Sequence, residues 1–63
     1  REGVVSTGGG SLNIRSTPSE NAAVIGKVPN GAFVTITGED GNWYAIQYSG
    51  IAGFVQRRFV NVE

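Results

Sequence analysis

The sequence predicts a small all-β barrel, and three observations carry that expectation. Gly supplies 10 of the 63 residues, more than double its average share of about 7%, and the glycines punctuate the whole chain. Eight Val, five Ile and four Thr give a strongly β-branched composition, suited to strands. Between the glycines the apolar residues alternate with polar ones, and no 3.6-residue period appears. A chain of 63 residues falls short of a two-sheet sandwich of about 100 residues. A strongly bent barrel of five to seven short antiparallel strands, one domain over residues 1–63, hides the strand edges instead.

The elements follow in order. Glu2 to Ser6 reads as a short edge strand and Thr7-Gly8-Gly9-Gly10 as a loop. A phosphate cradle would need Lys-Ser/Thr and a helix after the last Gly, whereas Ser11-Leu12-Asn13 follows. Ser11 to Ser16 alternates, with Leu12 and Ile14 on one face and Asn13 and Arg15 on the other. Thr17 to Asn21 has turn chemistry. Ala23 to Val28 is a strand, and Pro29-Asn30-Gly31 predicts a hairpin turn because Asn and Gly tolerate positive φ. In the next strand Ala32, Val34 and Ile36 face in, while Phe33, Thr35 and Thr37 face out. Gly38 to Asn42 is a second turn. Trp43 to Tyr48 forms a strand with Tyr44, Ile46 and Tyr48 on one face and Trp43, Ala45 and Gln47 on the other. Ser49-Gly50 is a two-residue turn into Ile51 to Gln56. Arg57 to Phe59 reads as one 3₁₀ turn before a last strand, Val60 to Val62. Val4-Val5 is expected to lie beside that strand, since both ends need partners.

Composition narrows the function. Five basic and five acidic residues give a formal net charge of zero, and Arg57-Arg58 is the only adjacent basic pair. Nucleic-acid binders need a basic excess for phosphate contacts, so no nucleic-acid partner is expected, and the Arg pair reads as solvated surface. The longest apolar runs reach three or four residues, too short for membrane insertion. The opening residues do not read as a signal peptide, and with Arg1 in place of a natural start the chain is expected to be a module excised from a larger protein. With no Cys, redox chemistry and thiolate metal sites are excluded. With no His, a Ser or Thr nucleophile lacks its usual base. Glu39 and Asp40 are adjacent on a predicted turn rather than paired across a cleft. The expectation is a non-catalytic domain without cofactor or metal.

Five segments carry a family resemblance. They are S-L-N-I-R-S-T-P-S (11–19), V-I-G (24–26), N-G-A-F-V (30–34), N-W-Y-A-I (42–46) and G-F-V (53–55). In this order they resemble the bacterial Src-homology-3 (SH3b-type) domain family, with the match running over residues 3 to 62. The resemblance implies an SH3-like barrel attached to cell-wall hydrolases or other exported proteins. It also implies an extracellular, cell-wall or periplasmic setting and peptidoglycan or its stem peptides as partner. Ala45 and Gln47 stand where the family often carries basic residues, which speaks against an anionic ligand such as a teichoic acid.

Recognition is therefore the expected role, by a monomer. Trp43 opens its strand at the turn, and the resemblance places that aromatic in a ligand groove. Tyr48 and Arg15 are the expected flanks, Arg15 holding a peptide carbonyl or carboxylate. For Arg15 and Asn13 the structural reading is equally open: Arg15 pairing with Glu20 or a carbonyl, Asn13 tying a loop backbone. Tyr44 or Tyr48 should form a half-buried wall, and Phe33 should cap an apolar end. Two functions of different class follow: a wall-targeting module, or a structural module packed against a neighbouring domain with no wall ligand. Binding of Pro-rich peptides would need an acidic loop beside stacked aromatics. The loop from Thr7 to Ser11 carries no acid, and the Thr17–Ala22 loop carries only Glu20.

Overall fold

A computed structural model describes residues 1–63. Seven strands run in the order β1 (Glu2–Val5), β2 (Leu12–Arg15), β3 (Val24–Val28), β4 (Phe33–Asp40), β5 (Trp43–Tyr48), β6 (Ile51–Gln56) and β7 (Val60–Val62). A single 3₁₀ turn, Arg57–Phe59, precedes β7. All the pairings are antiparallel, and the sheet order is β3-β2-β6-β5-β4-β1-β7. The sheet curls on itself into a body of 24 × 22 × 22 Å. The all-β barrel expected from alternation and glycine spacing is thus the observed architecture.

Alternation decides what fills the interior. Leu12 and Ile14, Val34 and Ile36, and Tyr44 and Ile46 are buried at every second position of their strands. With Val5, Val28, Val55 and Val60 they form one core. Ala32, Tyr48, Ile51 and Phe59 pack on its margins.

Three expectations are corrected. β1 is not an edge strand: it bonds β4 on one side and β7 on the other, and the edges are β3 and β7. The pairing of Val5 with Val60 and Gly3 with Val62 is as expected. The Asn30-Gly31 turn exists, with Gly31 at φ +89°, but it does not close a hairpin. β3 and β4 are not neighbours in the sheet. The turn instead docks on β1, with the Gly31 N–H donating to the Val5 carbonyl at 2.7 Å. Thr7 N–H donates to Asn30 Oδ1 at 2.9 Å on the same turn. The third correction concerns Gly38 to Asn42. β4 continues through Asp40 and only Gly41-Asn42 turns, because Thr37 is bulged out of the β4–β5 ladder between Ile36 and Gly38. A bulge bends its strand and shifts the phase beyond it, so Glu39 comes to lie opposite Tyr44.

The β5–β6 turn is as expected. Ser49 and Gly50 have φ of +51° and +82°, the signs a two-residue type I′ turn needs. Tyr48 then faces Ile51, and the ladder runs unbroken back to Trp43 opposite Gln56.

Candidate functional site

The Gly41-Asn42 turn places Trp43 at the start of β5, outward in phase and half-buried. Its cross-strand neighbours are Asp40 and Gln56. Two adjoining clefts share Trp43 and Gln56. The larger encloses about 490 Å³ and is walled by Glu20, Asn42, Arg57 and Arg58. The smaller, about 150 Å³, is walled by Ser11, Leu12, Asn13, Arg15 and Phe59. The indole N–H of Trp43 has no partner in the chain and is not sealed from solvent. A half-buried indole with a free donor supplies apolar contact area and one directed hydrogen bond, at little cost in side-chain entropy.

The walls come from two connections. Residues 16–23 join β2 to β3 and carry Glu20. Arg15 anchors this loop, its part-buried Nη1 donating to the Ala22 carbonyl at 3.0 Å. Gln56 Nε2 donates to Glu20 Oε2 at 3.4 Å, a weak bond bridging loop and β6 at the cleft margin. The 3₁₀ turn supplies Arg57 and Arg58 on the other side. Arg57 is committed elsewhere: its Nη1 lies 3.3 Å from Glu39 Oε1 and donates to the Gly41 carbonyl at 3.4 Å. Arg1 Nη2 takes the other Glu39 oxygen at 3.1 Å. Both guanidiniums sit over the buried Tyr44 ring, Arg1 at 6.0 Å and Arg57 at 5.3 Å from its centroid. Arg58 has no ion pair and lies 4.7 Å above the Phe59 ring.

Of the three residues singled out from sequence, the fold brings Trp43 and Arg15 together and leaves Tyr48 apart. Tyr48 closes the far end of β5, five residues or roughly 17 Å along the strand from Trp43. It borders a different depression, with Thr35, Gln47, Ser49, Gly50 and Ala52, and packs on the core margin. Of the two tyrosines it is the half-buried one, since Tyr44 is only 4% exposed. Arg15 follows its structural reading as far as the carbonyl of Ala22 goes, while still lining the smaller cleft. Asn13 ties no backbone. Ala45 and Gln47 share the outer face of β5 with Trp43 but lie further along the strand, around a separate shallow depression with Thr37, Ala52 and Phe54. Glu20, Asn42, Gln56, Arg57, Arg58 and Phe59 were not among the candidates, and all of them line the two clefts. No three carboxylates converge on a common point.

The chain belongs to the bacterial SH3 domain family, which it matches over residues 10–61. It is 34% identical over 50 residues to a Bacillus subtilis (strain 168) protein provisionally named N-acetylmuramoyl-L-alanine amidase YrvJ. That match covers 79% of this chain and 10% of the relative. The structure of NlpC2 from Trichomonas vaginalis superposes with a TM-score of 0.85 at 25% identity, covering 98% of this chain and 23% of that one. The chain therefore spans about a tenth of the amidase-named relative and under a quarter of NlpC2. In both it corresponds to a small module of a larger protein.

Proposed function

We propose that this module is a non-catalytic anchor that holds a larger exported protein, such as a cell-wall hydrolase, against peptidoglycan or its stem peptides. The observation that carries the reading is Trp43: a half-buried aromatic with a free N–H, shared by two clefts whose walls are a loop and a 3₁₀ turn. The name of the Bacillus relative, a muramoyl-alanine amidase, supports the wall as the setting. Such a placement is extracellular, in the wall or the periplasm. A small open cleft buries little surface, so affinity for a free fragment should lie roughly between micromolar and millimolar.

The test is to titrate purified muropeptides into isotope-labelled module and map the amides that shift. Shifts should centre on Trp43, Gln56 and the 16–23 loop. Trp43→Ala should remove them while the dispersed spectrum persists, and Trp43→Phe should restore part of the binding. Shifts that persist in a folded Trp43→Ala variant would move the site to another face.

A second reading has one observation in its favour. Phe33 is 60% exposed and stands opposite Val4 on the outer face of the β1–β4 pair, at the end of β4 remote from Asp40 and Trp43. An exposed aromatic of this kind suits packing against a neighbouring domain. If no muropeptide shifts any residue of the parent module, this reading is the better account.

A further inference from the structure

Among the charged residues of the larger cleft, Glu20 and Arg58 form no ion pair. Arg57 shares the Glu39 carboxylate with Arg1, and Arg15, in the adjoining cleft, gives an N–H to the Ala22 carbonyl. What remains is the Glu20 carboxylate, held only by a 3.4 Å bond from neutral Gln56, and the Arg58 guanidinium, which meets only the Phe59 ring. They come from different connections, the 16–23 loop and the 3₁₀ turn, and both border the same space, floored by Trp43 and Gln56. A polyanion would be repelled by Glu20 and a polycation by Arg58. A ligand bearing one ammonium and one carboxylate satisfies both.

We propose that the larger cleft selects a short dipolar peptide, with its free ammonium against Glu20, its free carboxylate against Arg58 and its backbone laid across Trp43. Arg suits the carboxylate because its planar fork can donate two parallel hydrogen bonds. The Trp43 N–H and the side-chain amide of Asn42 remain for the peptide carbonyls between the two ends. This assignment deepens the anchoring role proposed above and rests on it. It narrows the wall ligand to peptide segments that keep both charged groups, as an uncrosslinked segment does and a fully amide-linked one does not.

The test uses tri-alanine with both ends free, its N-acetyl form and its C-terminal amide, each titrated into labelled module. The free tripeptide should bind with a Kd in the millimolar range, shifting Trp43 and Gln56. Each blocked form should bind about two- to fivefold more weakly, the range expected for exposed ion pairs. In Glu20→Gln, acetylation should make no further difference, while amidation still weakens binding. In Arg58→Gln the pattern should reverse. Both side chains are exposed, and a dispersed spectrum checks that the variants fold. Equal binding of free and blocked peptides overturns the proposal, as does a preference that survives in the matching variant. So does a free tripeptide that shifts nothing. The anchoring role stands or falls separately, by whether muropeptides shift the Trp43 region at all.

Discussion

Two glycines show how a single missing Cβ shapes this barrel. Gly53 is buried where β2 crosses onto β6. A Cβ there would lie 2.5 Å from Ile14 Cγ2 and 2.7 Å from the Arg15 carbonyl oxygen. Ile14 is fully buried and a backbone carbonyl cannot swing aside, so the strands would have to part. Gly53→Ala should lower stability by about 2–3 kcal/mol, in the range of overpacked cores, measured by urea unfolding. Gly10→Ala is the control, since nothing lies within 4 Å of its added methyl, and it should stay within about 0.5 kcal/mol of the parent. A Gly53→Ala protein as stable as that control would refute the close-approach account. Gly31 acts through conformation rather than space: it meets nothing within 4 Å but sits at φ +89°. Gly31→Val should cost more than about 1 kcal/mol, the strain of a β-branched residue in that region. The two differ in legibility. Asn30-Gly31 announces its turn locally, because the φ preference belongs to the residues themselves. Gly53 reads only as a glycine inside a strand. The atoms that require it belong to β2 and β3, brought there by the barrel's closure.

At the scale of elements, the strand that matters most lies outside the stretch matched to the family. The match begins at residue 10, yet β1 (Glu2–Val5) is bonded on both edges, to β4 and β7. Val5 is 1% exposed, and the Val5 carbonyl accepts from Gly31. Removing residues 1–5 would uncover Val34 and Ile36 and leave β7 without a partner. The truncated chain should lose its cooperative thermal transition and its amide dispersion, and a shortened chain that kept both would show β1 to be dispensable. The N-terminal ion pairs contribute far less. Glu39 and its two arginines are about half exposed, so Glu39→Gln should cost under about 1 kcal/mol, and the difference should shrink in 1 M salt. Elements also mark where sequence reading succeeds. The Ser49-Gly50 turn sets the register of the β5–β6 hairpin, and counting back along the ladder places Gln56 opposite Trp43. Gln56 was thus within reach of the sequence. Glu20 and Arg58 were not, because a loop and a 3₁₀ turn have no period that says which cleft they border. Tyr48 misled for a related reason: it lies on the same strand as Trp43, but a strand advances about 3.3 Å per residue, which carries it to the other end of the barrel.

For the whole molecule, size sets the mode of action. A domain of about 60 residues buries only about 60% of the surface its unfolded chain exposes. Its clefts are correspondingly shallow, the larger holding about 490 Å³ and offering one aromatic. One copy gripping one peptide should therefore exchange rapidly, which is adequate for an anchor that acts through linkage. Joining the module to a second binding site makes the second contact intramolecular, at an effective concentration near millimolar for a short flexible linker. Two copies of this chain joined by a flexible Gly/Ser linker should bind purified sacculi about 100-fold or more tighter than one copy, read by co-sedimentation over a concentration series. Trp43→Ala in one copy of the pair should return affinity to the single-copy value, and in both copies should abolish sedimentation. Analytical ultracentrifugation should show the single module to be monomeric, so that the gain comes from the linker rather than from self-association. If the linked pair binds no more tightly than one copy while the single copy does bind, the clefts cannot engage neighbouring wall peptides together. If neither sediments, anchoring to peptidoglycan is the wrong function, and the exposed Phe33 face becomes the surface to test against the flanking domains.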